Sequence, residues 1–94
     1  MIMNIETLRK TTDNSNLASD HLRALWHDLN GDWDVAHRIV QQMADINAMW
    51  IHAYLHRKEP DEANARYWYR RAGKPFPEGV SADAEAETIL SELT

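Results

Sequence analysis

His52 and His56 stand four residues apart in His52-Ala53-Tyr54-Leu55-His56, an interval that puts two imidazoles on one face of a helix. A pair so placed can chelate a transition metal, as helical histidine pairs do in zinc sites. The residue after His52 is alanine, not the glutamate of hydrolytic zinc motifs, so the usual base for activating water is missing. A third ligand would have to come from His37, His27 or Glu59. From sequence alone no metal and no cofactor is assigned, because surface or hydrogen-bonded roles account for most histidines.

Asp34 with His37, or Asp28 beside His27, could orient an imidazole as a general base. No nucleophile accompanies either pair: Ser15, Ser19, Ser81 and Ser91 fall near expected helix ends or in the tail, where capping and solvation explain them. Catalytic residues are therefore unknown. Phosphate-loop and dinucleotide-loop signatures are absent, and three glycines give a nucleotide cradle little to build from.

Arg66-Tyr67-Trp68-Tyr69-Arg70-Arg71 interleaves bases with aromatics, a combination able to stack on bases or grip an anionic peptide. Helical geometry divides the run. Ala65, Tyr69 and Ala72 share one face, which makes Tyr69 a core residue; Asn64, Trp68 and Arg71 share another. The candidate binding surface is thus the polar edge formed by His52, His56, Arg57, Asn64, Trp68 and Arg71, joined by His37. Tryptophan and arginine are enriched where interfaces concentrate binding energy.

The rest of the chain must position these groups. It has 94 residues, 44% of them hydrophobic, with four tryptophans, three tyrosines and no cysteine. That length supports one core, and the lack of thiols excludes disulfides, thiolate catalysis and sulfur-ligated zinc. A net charge of −5 opposes general nucleic-acid binding. Between Trp50 and Lys74, six bases face three acids, a local +3 that leaves −8 for the remainder. No base follows Lys74, whereas Glu78, Asp83, Glu85, Glu87 and Glu92 do, so an acidic tail that docks on the basic segment is expected. Neither a basic leader nor an apolar run of membrane-spanning length is seen, which predicts a cytoplasmic protein without membrane contact.

Apolar spacing predicts five helices. Residues 1–14 read as a flexible arm with a single helical turn, and residues 15–94 as one all-helical domain. The first helix carries Leu17, Leu22, Leu25, Trp26 and Leu29 behind a cap at Ser15 or Asn16, and Asn30-Gly31 ends it. Asp32 caps a second, with Val35, Ala36, Ile39, Val40 and Met43 as its stripe. Asp45 caps a third whose broad apolar surface, including Ile46, Met49, Trp50, Ala53 and Tyr54, suits a central position. Pro60 fits the first position of a fourth helix, which Gly73 stops. Lys74-Pro75-Phe76-Pro77 forms a rigid turn, with Phe76 as a plug, before Ser81 caps a fifth helix.

Offset by 29 residues, Ala24, His27, Asp32 and Ala36 meet Ala53, His56, Asp61 and Ala65, and Gly31 meets Pro60 in the matching turn. Each unit reads helix, short turn, helix. With Ala65, Tyr69, Ala72 and Pro77 following their small, aromatic, small, proline spacing, the chain resembles the tetratricopeptide and Sel1-like helical repeats. The segments Trp33–His37, His52–Glu59 and Asn64–Gly73 also look like a family of short uncharacterised helical proteins of bacteria and fungi, across residues 22–77. That second resemblance implies no activity. The first implies an all-α fold of two antiparallel helical hairpins plus a C-terminal capping helix, serving as a protein-interaction or scaffold module for a protein or peptide partner. Homodimerisation would enlarge its short concave surface. The alternative is a small ligand- or metal-binding domain or enzyme centred on His52, His56 and Arg57.

Overall fold

In the computed structural model, residues 4–11, 17 and 19–94 are described. They form α1 (Ile5–Lys10), α2 (Asp20–Leu29), α3 (Trp33–Val40), α4 (Ile46–Lys58), α5 (Glu62–Ala72) and α6 (Ala82–Leu93). The fold is all-α, and no strand occurs among the described residues. Packing centres on α4, which touches α2, α3, α5 and α6; α2 also packs on α3. Eight of its residues, from Ala48 through His56, are buried. A helix surrounded in this way needs apolar groups nearly all round, which is why its sequence shows a broad surface and not a narrow stripe.

Local chemistry sets the helix boundaries. Ser19, Asn4, Asp45, Asp61 and Ser81 each accept a backbone N–H of the first turn that follows, satisfying donors that lack an intrahelical partner. Asp32 occupies the N-cap of α3 without such a bond. Gly73 ends α5 in the left-handed region (φ 70°), which a side chain would disfavour.

Three boundaries differ from the sequence reading. α2 starts at Asp20 behind Ser19, which leaves Leu17 outside the helix, and the expected caps Ser15 and Asn16 lie outside the described residues. Pro60 precedes the Asp61 cap, so it belongs to the turn and not to the first position of α5. Most notably, the single helical turn expected in a flexible arm is α1, whose Ile5 and Leu8 are buried in the core. So short a helix owes its stability to tertiary contacts. Here α1 packs on α2 and α6, and the Ile5 amide donates to Glu87 Oε1 at 2.9 Å.

The acidic segment docks on the basic one through particular residues. Glu85 is buried on α6, where Arg57 Nε reaches its Oε1 at 2.9 Å and Trp50 Nε1 and the Tyr69 hydroxyl reach its Oε2 at 3.1 and 2.5 Å. Arg66 reaches Glu78 at 3.2 Å while its guanidinium lies 4.0 Å from the centre of the Phe76 ring. A second buried carboxylate, Asp28, accepts from the Tyr54 hydroxyl and from Lys58 Nζ, each at 2.7 Å. Burial pushes both tyrosine hydroxyls far above their ordinary range, and the neighbouring carboxylates add to it, so both remain donors.

Candidate functional site

Contact between α3 and α4 creates a cluster of three histidines. His52 and His56 stack on one face of α4 with ring centres 5.0 Å apart and planes 28° apart. From α3, His37 presents its ring edge-on to both, at 4.7 Å from His52 and 5.1 Å from His56. Each histidine offers a ring nitrogen, and the three lie within 4.8 Å of one another. His52 and His56 are buried and His37 is half-buried.

Two indoles wall the cluster. Trp33, one turn before His37 on α3, stacks parallel to it at 4.9 Å and is pinned by a 2.7 Å bond from its Nε1 to the Leu55 carbonyl. Trp68 of α5 stacks on His52 at 4.0 Å, with Arg71 5.1 Å from the Trp68 ring centre. Beneath His56, Nδ1 lies 2.6 Å from Glu59 Oε1.

For His52 and His37, this environment disfavours the charged form. Burial pushes the His52 pKa down to about 4, and the neighbouring His37 and His56 push the same way. Burial also lowers His37, as does His56, with partial opposition from Glu59 and Asp34. At neutral pH both rings therefore carry a free lone pair, the form that binds metals.

The candidate surface divides under this geometry. His37, His52, His56 and Trp68 converge, whereas Arg57 turns from the cluster to pair with Glu85 and the Val80 carbonyl. Asn64 folds back on Asp61, with Nδ2 3.3 Å from Oδ2. Arg71 covers Trp68 and donates to the Tyr67 hydroxyl at 3.1 Å. His37, not His27, completes the triplet; His27 sits beside Asp32 at 3.8 Å and edge-on to Trp26. Trp33 escaped the sequence reading, although its four-residue interval to His37 is the same signal that singled out His52 and His56.

Chemically, an all-imidazole set suits zinc, copper, nickel or cobalt, and not the oxygen-seeking magnesium or calcium. Tetrahedral bonds of about 2.0–2.1 Å require nitrogens roughly 3.3 Å apart. From within 4.8 Å, side-chain rotation can supply the remaining approach. The second group of donors, His56 with Glu59 and Asp61, shares His56 with the first. Comparison of the chain with family models, with curated proteins and with solved structures finds no match.

Proposed function

We propose that this chain is a small helical metal-binding domain in which His37, His52 and His56 hold one divalent first-row transition ion. The observation that carries the reading is the meeting of three imidazoles from two helices, with ring nitrogens within 4.8 Å, two of them, His37 and His52, in surroundings that disfavour their protonation. Three histidines leave a fourth tetrahedral position for water or an added ligand. The reading is of binding, because alanine follows His52 where hydrolytic zinc helices carry their glutamate base.

The test is calorimetric titration of tag-free protein, stripped with chelator, using zinc, alongside the visible spectrum with cobalt. One ion per chain should bind with a Kd below about 1 μM, equivalent to roughly −8 kcal/mol. His52→Ala should weaken it at least about a hundredfold, near 2.7 kcal/mol. Equal binding by wild type and His52→Ala would overturn the site, as would the lack of stoichiometric binding by wild type.

A scaffold role for a helical-repeat-like domain is the second reading. It is supported by the exposed Tyr67 ring, which with Trp68 and Arg71 forms an aromatic and cationic ridge along α5. Equal partner recovery by wild type and by a Tyr67→Ala, Arg71→Ala double variant would remove that ridge from consideration.

A further inference from the structure

We infer that Glu59 is the positioning residue of the histidine site: by accepting the Nδ1 proton of His56 it fixes Nε2 as the ligating atom. The inference rests on the proposed metal site and adds to it the role of a residue outside the triplet. A neutral imidazole has one N–H and one lone pair, and a carboxylate can only accept. With Glu59 Oε1 2.6 Å from Nδ1, the proton belongs on Nδ1 and the lone pair on Nε2. The His56 ring is buried while the Glu59 carboxylate keeps contact with solvent, so the bond is shielded on the imidazole side.

The backbone holds the two partners in register. Glu59 is the C-cap of α4, where its N–H donates to the Leu55 carbonyl, and the Asp61 N–H closes back on the His56 carbonyl at 2.9 Å. The carboxylate therefore projects from a turn that is tied to His56 itself. Metal-bound histidines commonly donate their second nitrogen to such a carboxylate, which sets tautomer and ring orientation and raises ligand basicity.

A direct-ligand role for Glu59 fits less well. An ion about 2.05 Å from both Nδ1 and Oε1 would subtend only about 79° between donors 2.6 Å apart, far below the tetrahedral angle. Asp61, the other member of that group, already accepts from the amide and side chain of Asn64.

The experiment has two arms. In ion-free protein, nitrogen-15 spectra of the imidazoles should show His56 as the Nδ1–H tautomer, and Glu59→Ala should shift population toward Nε2–H. In zinc titrations, Glu59→Ala should weaken binding about 10- to 100-fold, while Glu59→Gln, whose amide oxygen still accepts, should stay within about threefold of wild type. If Glu59→Ala leaves both tautomer and affinity unchanged, the positioning role is overturned and the metal site stands. Were Glu59→Gln to lose as much as Glu59→Ala, Glu59 would be a ligand through its charge, which also overturns it. Failure of wild type to bind zinc overturns the metal reading together with the ligating role of Nε2. Circular dichroism of both variants confirms that α4 persists.

Discussion

Replacing Glu85 by glutamine changes one atom and should cost the fold about 3 kcal/mol. The wild-type carboxylate is 4% exposed and meets three donors: Trp50 Nε1 and the Tyr69 hydroxyl at Oε2, and Arg57 Nε at Oε1. Glutamine has one acceptor oxygen and brings two donors of its own. With its nitrogen toward Arg57, donor meets donor and the guanidinium loses its counter-charge. With its nitrogen toward the aromatic pair, the Tyr69 hydroxyl can rotate to accept, but the indole N–H cannot. One unsatisfied buried donor costs about 1–3 kcal/mol, and removing one partner of a buried ion pair about 3–5 kcal/mol. Arg57 keeps some solvent contact at 18% exposure, which places the expected loss toward the lower part of that range. At roughly 4–8 °C per kcal/mol for a domain of this size, Tm should fall by about 12–24 °C. Urea and thermal unfolding at pH 7, followed by far-ultraviolet circular dichroism, measure it. Tyr69→Phe, which removes a single donor from the same carboxylate, should lose about 1.5 kcal/mol. A loss under about 1 kcal/mol for Glu85→Gln, with an unchanged urea slope, would refute the claim that this carboxylate is a buried junction.

Zinc at a hundredfold excess over its Kd should stabilise the protein by about 2.7 kcal/mol, visible as a rise in Tm, and His37→Ala should abolish that rise. In ion-free protein, His52 has a folded pKa of about 4 against 6.5 unfolded, so the unfolded chain binds the extra proton between those values. Stability is therefore complete above pH 6.5 and falls as pH drops toward 4, by about 2 kcal/mol from this residue at pH 4.5 after allowing for partial solvent screening. Parallel urea curves at pH 7 and 4.5 for wild type and His52→Gln test this; identical pH slopes would contradict it. Asp28→Asn leaves Lys58 without its partner charge and should lose about 2 kcal/mol in the same unfolding assay, a value near zero excluding a buried role for that carboxylate.

Much of the fold could be read from residue spacing because its helices announce themselves locally. Asp45 and Ser81 cap where acceptor side chains precede apolar periodicity, and Gly73 ends α5 where a left-handed residue is needed. Those signals act within one turn. α1 was legible only as a single helical turn in a flexible arm, because what holds it, Ile5 and Leu8 meeting other helices, is not written in its six residues. Glu85 was equally hidden. At the start of an acidic helix, a glutamate reads as a response to the helix dipole, and only the packing of α6 against α4 and α5 reveals three donors around it. The His52 and His56 pair was legible from their interval. That His37 completes it depends on how α3 lies against α4, which spacing within either helix does not encode.

The 29-residue offset clarifies why, among the described residues, this cluster forms at the second turn and not at the first. It relates the C-caps Asn30 and Glu59 and the N-caps Asp32 and Asp61. In both turns the aspartate N–H closes on a histidine carbonyl, Asp32 on His27 at 2.8 Å and Asp61 on His56 at 2.9 Å. The turn is thus repeated, but the donors around it are not. At the offset positions, Arg23 stands for His52 and Asn30 for Glu59, and the Asn30 side chain donates to the Trp26 carbonyl, not accepting from a ring. Accordingly, an Asn30→Glu, Arg23→His double variant supplies two of the missing groups but no counterpart of His37, since that residue reaches α4 from the helix preceding it. A second ion should not bind to such a variant; stoichiometry above one zinc per chain would show that the turn alone, without α3 crossing it, suffices to build the site.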